Sequence, residues 1–133
     1  MLPFLEQGGN AMTIREAISL IDEHKPNTFS QGAKIRWLNQ LDCGIFTDII
    51  STHEGGPESF PGYHEDTDIE TVLLADQAHE QMYLHWLEAK VDYANGEYNK
   101  YNNAIAMFNA DYEEYQKAYN RSHMPLGNTI RYW

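Results

Sequence analysis

Between Tyr98 and Tyr119 the apolar and aromatic positions fall at Tyr98, Tyr101, Ile105, Phe108, Tyr112, Tyr115 and Tyr119. The steps alternate between three and four residues, which places all seven on one face of an α-helix. Asn, Lys, Asp, Glu and Gln predominate between them, as a solvated opposite face requires. Five of the seven are Tyr. A Tyr ring buries a large apolar area, but its hydroxyl needs a partner or water. Such a seam suits an amphipathic packing or contact surface better than a dry core. The plainer alternative is a helix lying on its own domain's core.

The rest of the chain supplies further helices. Thr13 followed by Glu16 forms a capping box, and Ile14, Ala17, Ile18 and Ile21 make an apolar face, predicting a helix from about Thr13 to His24. Lys25-Pro26-Asn27 ends it, because the residue before proline avoids the helical region. Ser30 is a second N-cap, for a helix running to about Ser51 with Ile35, Trp37, Leu38, Leu41, Ile45 and Ile49 inward. Cys43 on that helix reads as a small buried residue. Residues 52–68 carry Gly55, Gly56, Pro57, Pro61 and Gly62, and read as an irregular, solvated acidic loop. Residues 69–75 are apolar and partly β-branched, which suits a short extended segment. Asp76 then caps a third helix over about Gln77–Ala94, apolar on more than one side and expected to be central.

Asn95-Gly96 follows. It would close a helical hairpin with Gly96 as a left-handed cap, or lie within one long helix. The spacing of Leu84, Leu87, Val91 and Ala94 runs into Tyr98 without a break, which favours a continuous or gently kinked helix of about 44 residues, near 66 Å. Pro125 and Gly127 end the helical pattern. Residues 127–133 form a tail with Ile130, Tyr132 and Trp133. It is either a disordered end or an anchor that orders on a partner. Residues 1–11, with Pro3, Gly8 and Gly9, form an N-terminal extension. Gln7-Gly8-Gly9-Asn10 has a codon choice that spells a bacterial ribosome-binding site just before Met12, which makes Met12 the expected start; a flexible N-terminus is the alternative. The expected architecture is therefore all-α: a single domain over 12–126, a bundle of about four helices with a long C-terminal helix or helical hairpin.

Twenty acidic residues against nine basic give a formal charge of −11. That disfavours nonspecific DNA gripping by a basic surface, yet lets DNA slide past without sticking. A single cysteine permits no internal disulfide and suits a reducing compartment. No apolar run is long enough for a membrane span, and the start lacks a signal-peptide pattern. The expectation is a soluble protein, cytoplasmic where it is made. No phosphate loop, nucleophile elbow, His-Glu-x-x-His or zinc-type cysteine pair is present, so no catalytic, cofactor or metal residue is expected. His79, His85 and Glu88 on the third helix would be the ligands of a metal-binding bundle. The sequence holds no Glu-x-x-His, so surface or interface roles fit them better. His53, Glu54, His64, Glu65, Asp66 and Asp68 in the loop show no ligand spacing.

Three pieces carry a resemblance: Lys34-Ile35-Arg36-Trp37-Leu38-Asn39, the run from Tyr93 to Asn103, and Met107-Phe108-Asn109 with the closing run from Tyr119 to Pro125. Together, over most of residues 12–126, they resemble small prophage proteins of Gram-positive bacteria grouped as head–tail connector, or head-completion adaptor, proteins. The resemblance implies a helical structural protein of the virion. Copies would form a ring beneath the portal at the head–tail junction and continue the DNA channel, after assembly in the host cytoplasm. It implies as partners further copies of the chain, the portal protein and a tail-completion protein, with no sequence-specific DNA binding, no membrane and no cofactor. The residues expected at contacts are Tyr98, Tyr101, Tyr112, Tyr115 and Tyr119 on the seam and Ile130, Tyr132 and Trp133 in the tail. A helical interaction or scaffold module of a prophage is the alternative.

Overall fold

The computed structural model describes residues 10–126. It contains four α-helices: α1 (Ile14–His24), α2 (Gln31–Asp48), α3 (Glu80–Ala94) and α4 (Tyr98–Ser122). Short 3-10 turns cover Ile50–Thr52 and Gln77–His79. Among the described residues there is no named strand, and the expected all-α bundle is what forms. No helix among them is long and apolar enough to cross a membrane.

The helix starts follow from their caps. The Thr13 hydroxyl accepts from the Glu16 amide at 3.1 Å, and the Glu16 carboxylate accepts from the Thr13 amide at 2.9 Å. Two further first-turn amides of α1 find carbonyls outside the helix. Ile14 N–H donates to Thr71 and Arg15 N–H to Ile69. Leu73 N–H donates back to the Met12 carbonyl, and Thr13 and Val72 form an antiparallel bridge. Of the expected extended segment at 69–75, only the stretch around Val72 is extended and pairs with the start of α1; Ile69 and Glu70 lie in a turn closed by Thr71 N–H donating to the Asp68 carbonyl. Met12 is 1% exposed and belongs to the core. Ser30 caps α2 by accepting from Ala33 N–H, and Asp76 caps the 3-10 turn that leads into α3 by accepting from Ala78 N–H.

The core gathers the inner faces of α1, α2 and α3: Ile14, Ile18, Ile21, Ile35, Leu38, Leu41, Ile45, Met82, Tyr83, Leu87 and Val91. α2 ends at Asp48, three residues before the expected Ser51, and continues as a 3-10 turn through Thr52. Cys43 is exposed, contrary to the expectation of burial. The inward positions of this stretch are Leu38, Leu41, Asp42 and Ile45. Asp42 takes the inward slot, and its neighbour is turned to solvent.

The largest departure from the expected rod is at Asn95-Gly96. The continuous 44-residue helix does not form; α3 and α4 are an antiparallel hairpin. Gly96 has φ +74°, in the left-handed region. Glu97 N–H donates to the Asp92 carbonyl at 2.9 Å, and Gly96 N–H to the Tyr93 carbonyl at 3.0 Å. These are the two bonds of a Schellman cap. The unbroken three–four spacing across the turn is real, but it means that the two apolar stripes face each other once the chain reverses.

The loop over 52–68 is irregular, as expected, but it is not loosely solvated throughout. Tyr63 is buried, its N–H donating to Asn39 Oδ1 at 2.8 Å. Phe60 packs between Phe46, at 6.2 Å, and Tyr63, at 5.1 Å. Arg36 and Glu65 form an ion pair across the loop's outer side. The segment is pinned to α2 by side chains that its glycines and prolines concealed.

Candidate interaction surface

α4 packs chiefly on α3. The contact is a ladder of ring pairs. Tyr93 meets Tyr101 at 5.3 Å, Trp86 meets Phe108 at 5.0 Å, and His79 meets Tyr115 at 4.8 Å. Each rung lies seven residues from the next along α4 and along α3 with the 3-10 turn that leads into it, the period at which two helices present the same seam to each other. Between the inner rungs, His85 Nδ1 sits 2.5 Å from Asp111 Oδ2. Trp86 also ties the hairpin to α2, its indole N–H donating to the Trp37 carbonyl at 2.7 Å.

The predicted contact tyrosines divide along this ladder. At the turn end, Tyr98 is 58% exposed and its ring is tilted against that of Tyr93, itself 59% exposed, at 5.5 Å. Tyr101 is half-buried in the outermost rung. At the other end, Tyr115 is 5% exposed and serves the domain's own core. Burial pushes its phenol well above the ordinary range. Tyr112 is half-buried against Phe108 at 5.6 Å, its phenol raised by burial and by the charge of Asp48. Tyr119 is half-buried, stacked flat on His123 at 3.8 Å with His53 edge-on at 5.3 Å. Ile130, Tyr132 and Trp133 lie outside the described residues.

The exposed end of the ladder forms a cleft of about 290 Å³, lined by Trp86, Ala89, Lys90, Tyr93, Tyr101 and Ile105. Lys90 Nζ lies 4.7 Å from the centre of the Trp86 ring, a cation–π contact. Burial lowers the Lys90 pKa, and among the described residues this ammonium forms no ion pair. Met107, 52% exposed, adds apolar surface further along α4. The seam thus leaves a partly open aromatic end. Its chemistry is that of a contact surface: flat rings, a cation without a carboxylate, and hydroxyls free to reach a partner.

Two buried charges were not legible as functional or structural residues. Asp42 is fully buried on α2. Its Oδ1 accepts from the Tyr83 hydroxyl at 2.8 Å, and its Oδ2 from the Tyr63 hydroxyl at 2.6 Å and from Leu74 N–H at 3.0 Å. Tyr83 in turn accepts from Ala75 N–H at 2.9 Å. Burial raises the Asp42 carboxyl above its ordinary range, opposed by the three hydrogen bonds. This knot fastens the loop and the extended segment to α2 and α3. Asp92, also fully buried, meets Lys25 Nζ at 2.5 Å through Oδ1, while its Oδ2 has no hydrogen-bond partner. Burial alone would lower the Lys25 pKa, but the hydrogen bond and charge of Asp92, with Glu88 beyond, raise it. A polar residue at an inward helical position is the signal that would have found both.

The three imagined metal ligands diverge. His79 faces Tyr115, His85 faces Asp111, and Glu88 faces Lys25 and His24. Among the described residues, no group of three or more His, Cys, Asp or Glu side chains could hold a metal ion. No protein-family model matches the chain, and neither a curated protein nor a solved structure shows significant similarity to it.

Proposed function

We propose that this protein is a structural part that works by assembling with copies of itself, as a head–tail connector ring beneath a phage portal. One observation carries the reading. The α3–α4 hairpin ends in an open aromatic surface, Tyr93, Tyr98 and Tyr101 around the cleft beside Lys90, which its own domain leaves uncovered. A head-to-tail contact through that end would generate a ring if the rotation closes. The net charge of −11 suits a channel through which DNA must pass without adhering. The resemblance of residues 12–126 to prophage connector proteins names the assembly and its partners, the portal and a tail-completion protein, at the head–tail junction of the virion.

The test is light scattering of the purified chain over a concentration series, followed by electron microscopy after mixing with a phage portal protein. Self-association at high concentration and rings on the portal are expected. Both are expected to weaken in a Tyr93→Ser/Tyr98→Ser variant that keeps its helical circular dichroism. A chain that stays monomeric at every concentration and forms no ring with portal refutes the reading.

A further inference from the structure

The cleft at the open end of the ladder restricts what can close it. Its walls are the rings of Trp86, Tyr93 and Tyr101 with Ile105, and its volume of about 290 Å³ suits a pair of side chains. Flat aromatic walls favour a flat apolar group, a proline ring included. Lys90 adds a second demand. Its ammonium rests 4.7 Å from the centre of the Trp86 ring and forms no ion pair among the described residues. A partner that covered it with apolar surface alone would leave a buried charge unanswered, which outweighs the gain from the contact. The occupant must bring an apolar group and a carboxylate side by side.

The chain itself carries such a pair. Of the exposed prolines and large apolar side chains among the described residues, Pro57 alone adjoins in sequence a carboxylate that forms no ion pair, that of Glu58. Pro57, Glu58 and Ser59 are exposed and lie outside any helix or strand. This tip is held from both sides. Phe60 packs between Phe46 and Tyr63, and Gly56 comes so near α4 that a Cβ on it would stand 2.5 Å from the Tyr119 hydroxyl oxygen. A tip fixed in this way loses little conformational freedom on docking.

The two features cannot meet within one chain. The tip lies beside Tyr119, whereas the cleft reaches no further along α4 than Ile105. At about 1.5 Å per residue these two positions stand about 21 Å apart on the helix axis, beyond the combined reach of a lysine and a glutamate. A cleft near one end and its complement near the other is the arrangement of a head-to-tail contact. Copies with a formal charge of −11 repel one another, so a contact between them needs a place where opposite signs face each other. We propose that the Pro57–Glu58 tip of a second copy docks in this cleft, its proline ring against Tyr93 and Tyr101 and its Glu58 carboxylate on the Lys90 ammonium. The inference rests on the self-assembly reading above and gives that assembly a specific contact.

Sedimentation equilibrium of the full chain over a concentration series tests it, with helical circular dichroism recorded for every variant. Glu58→Lys, in an exposed loop, should weaken self-association about tenfold or more, and Lys90→Glu should do the same. Glu58→Lys also reduces the net negative charge, so a nonspecific effect of charge would strengthen association instead. An equimolar mixture of the two variants should recover near-native association, because the reversed charges then face each other across the contact. A second cycle needs no charge reversal in the cleft. Lys90→Met with Glu58→Gln in one chain should associate no more weakly than either single variant. If the native chain associates and neither reversal weakens it, the docking is overturned while self-assembly stands. A mixture that fails to recover, or additive losses in the neutral cycle, overturns the docking in the same way. A native chain that never associates overturns both.

Discussion

Tyr63 and Tyr83 each give one hydroxyl to Asp42, yet deleting the two should not cost the same. Tyr63→Phe removes one donor, and Asp42 Oδ2 keeps the Leu74 amide. A hydrogen bond to a charged group is worth about 1.5–3 kcal/mol, and the remaining partner should hold the loss near the low end. Tyr83→Phe removes the sole partner of Oδ1 and also the acceptor of the Ala75 amide, in a site closed to solvent. Two buried groups are then orphaned, at about 1–3 kcal/mol for the amide on top of the lost carboxylate bond. The expected costs are about 1.5 kcal/mol for Tyr63→Phe and about 3–5 kcal/mol for Tyr83→Phe. Urea denaturation monitored by circular dichroism reads both, with the slope checked for constancy. The double variant should depart from additivity by about 0.5–3 kcal/mol, because both hydroxyls serve one carboxylate. Asp42 also has a pH signature. Its carboxyl is raised in the folded state, so the stability it contributes is present below the ordinary Asp value and is lost as pH rises through the raised one. Relative to Asp42→Asn, the native chain should lose stability as pH climbs from about 4. Equal costs for the two phenylalanine variants, or a Tyr83→Phe cost under about 1 kcal/mol, would refute the assignment of Asp42 as the shared acceptor.

Other positions give separate tests. A Cβ on Gly56 would stand 2.5 Å from the Tyr119 hydroxyl oxygen and 2.8 Å from Ile50 Cγ2, so Gly56→Ala should cost about 1–3 kcal/mol through overpacking. Gly96 has open space around its Cβ position but a left-handed backbone, so Gly96→Ala should cost about 1–2 kcal/mol with no change in packing; thermal denaturation of the pair separates crowding from backbone strain. Lys25→Met leaves the buried Asp92 carboxylate without its cation and should destabilise by about 3–5 kcal/mol. In the native chain the raised Lys25 pKa keeps that contribution in place through neutral pH, and it should fade only as pH rises past the ordinary lysine value of about 10.4.

Local signals in the sequence were reliable where one residue type has one geometric use. Thr13 with Glu16 and Ser30 cap the helices their positions implied, whereas Asp76 caps only the 3-10 turn Gln77–His79, and the third helix begins at Glu80 rather than Gln77. The inner faces of α1 and α2 follow their apolar spacing because isoleucine and leucine have no better place to go. Asn95-Gly96 misled for a physical reason. A stripe that keeps phase through a turn is what both a straight helix and a self-facing hairpin require, so periodicity cannot choose between them. The left-handed glycine could, and it deserved more weight than the phase. The seven-residue spacing of Tyr93, Trp86 and His79 against Tyr101, Phe108 and Tyr115 was present in the sequence, but it becomes a pairing rule only once the chain is known to reverse. Asp42 stayed hidden because an acid in an inward slot breaks the apolar pattern, and its partners Tyr63 and Tyr83 lie 21 and 41 residues away. The open end of the seam was partly legible: Tyr98 was expected at a surface, whereas the exposed Tyr93 came from a helix expected to be central.

The evenness of the ring ladder carries a liability of its own. Sliding α4 by one repeat, about 10.5 Å, would seat each ring where its neighbour had been. The rings therefore define a set of rival alignments rather than one. It is the three-residue reversal at Asn95-Gly96-Glu97, closed by its two amide bonds, that leaves no slack for a slip. Lengthening that reversal by a few flexible residues would make the alignment of the two helices negotiable, and with it which aromatic faces the outside.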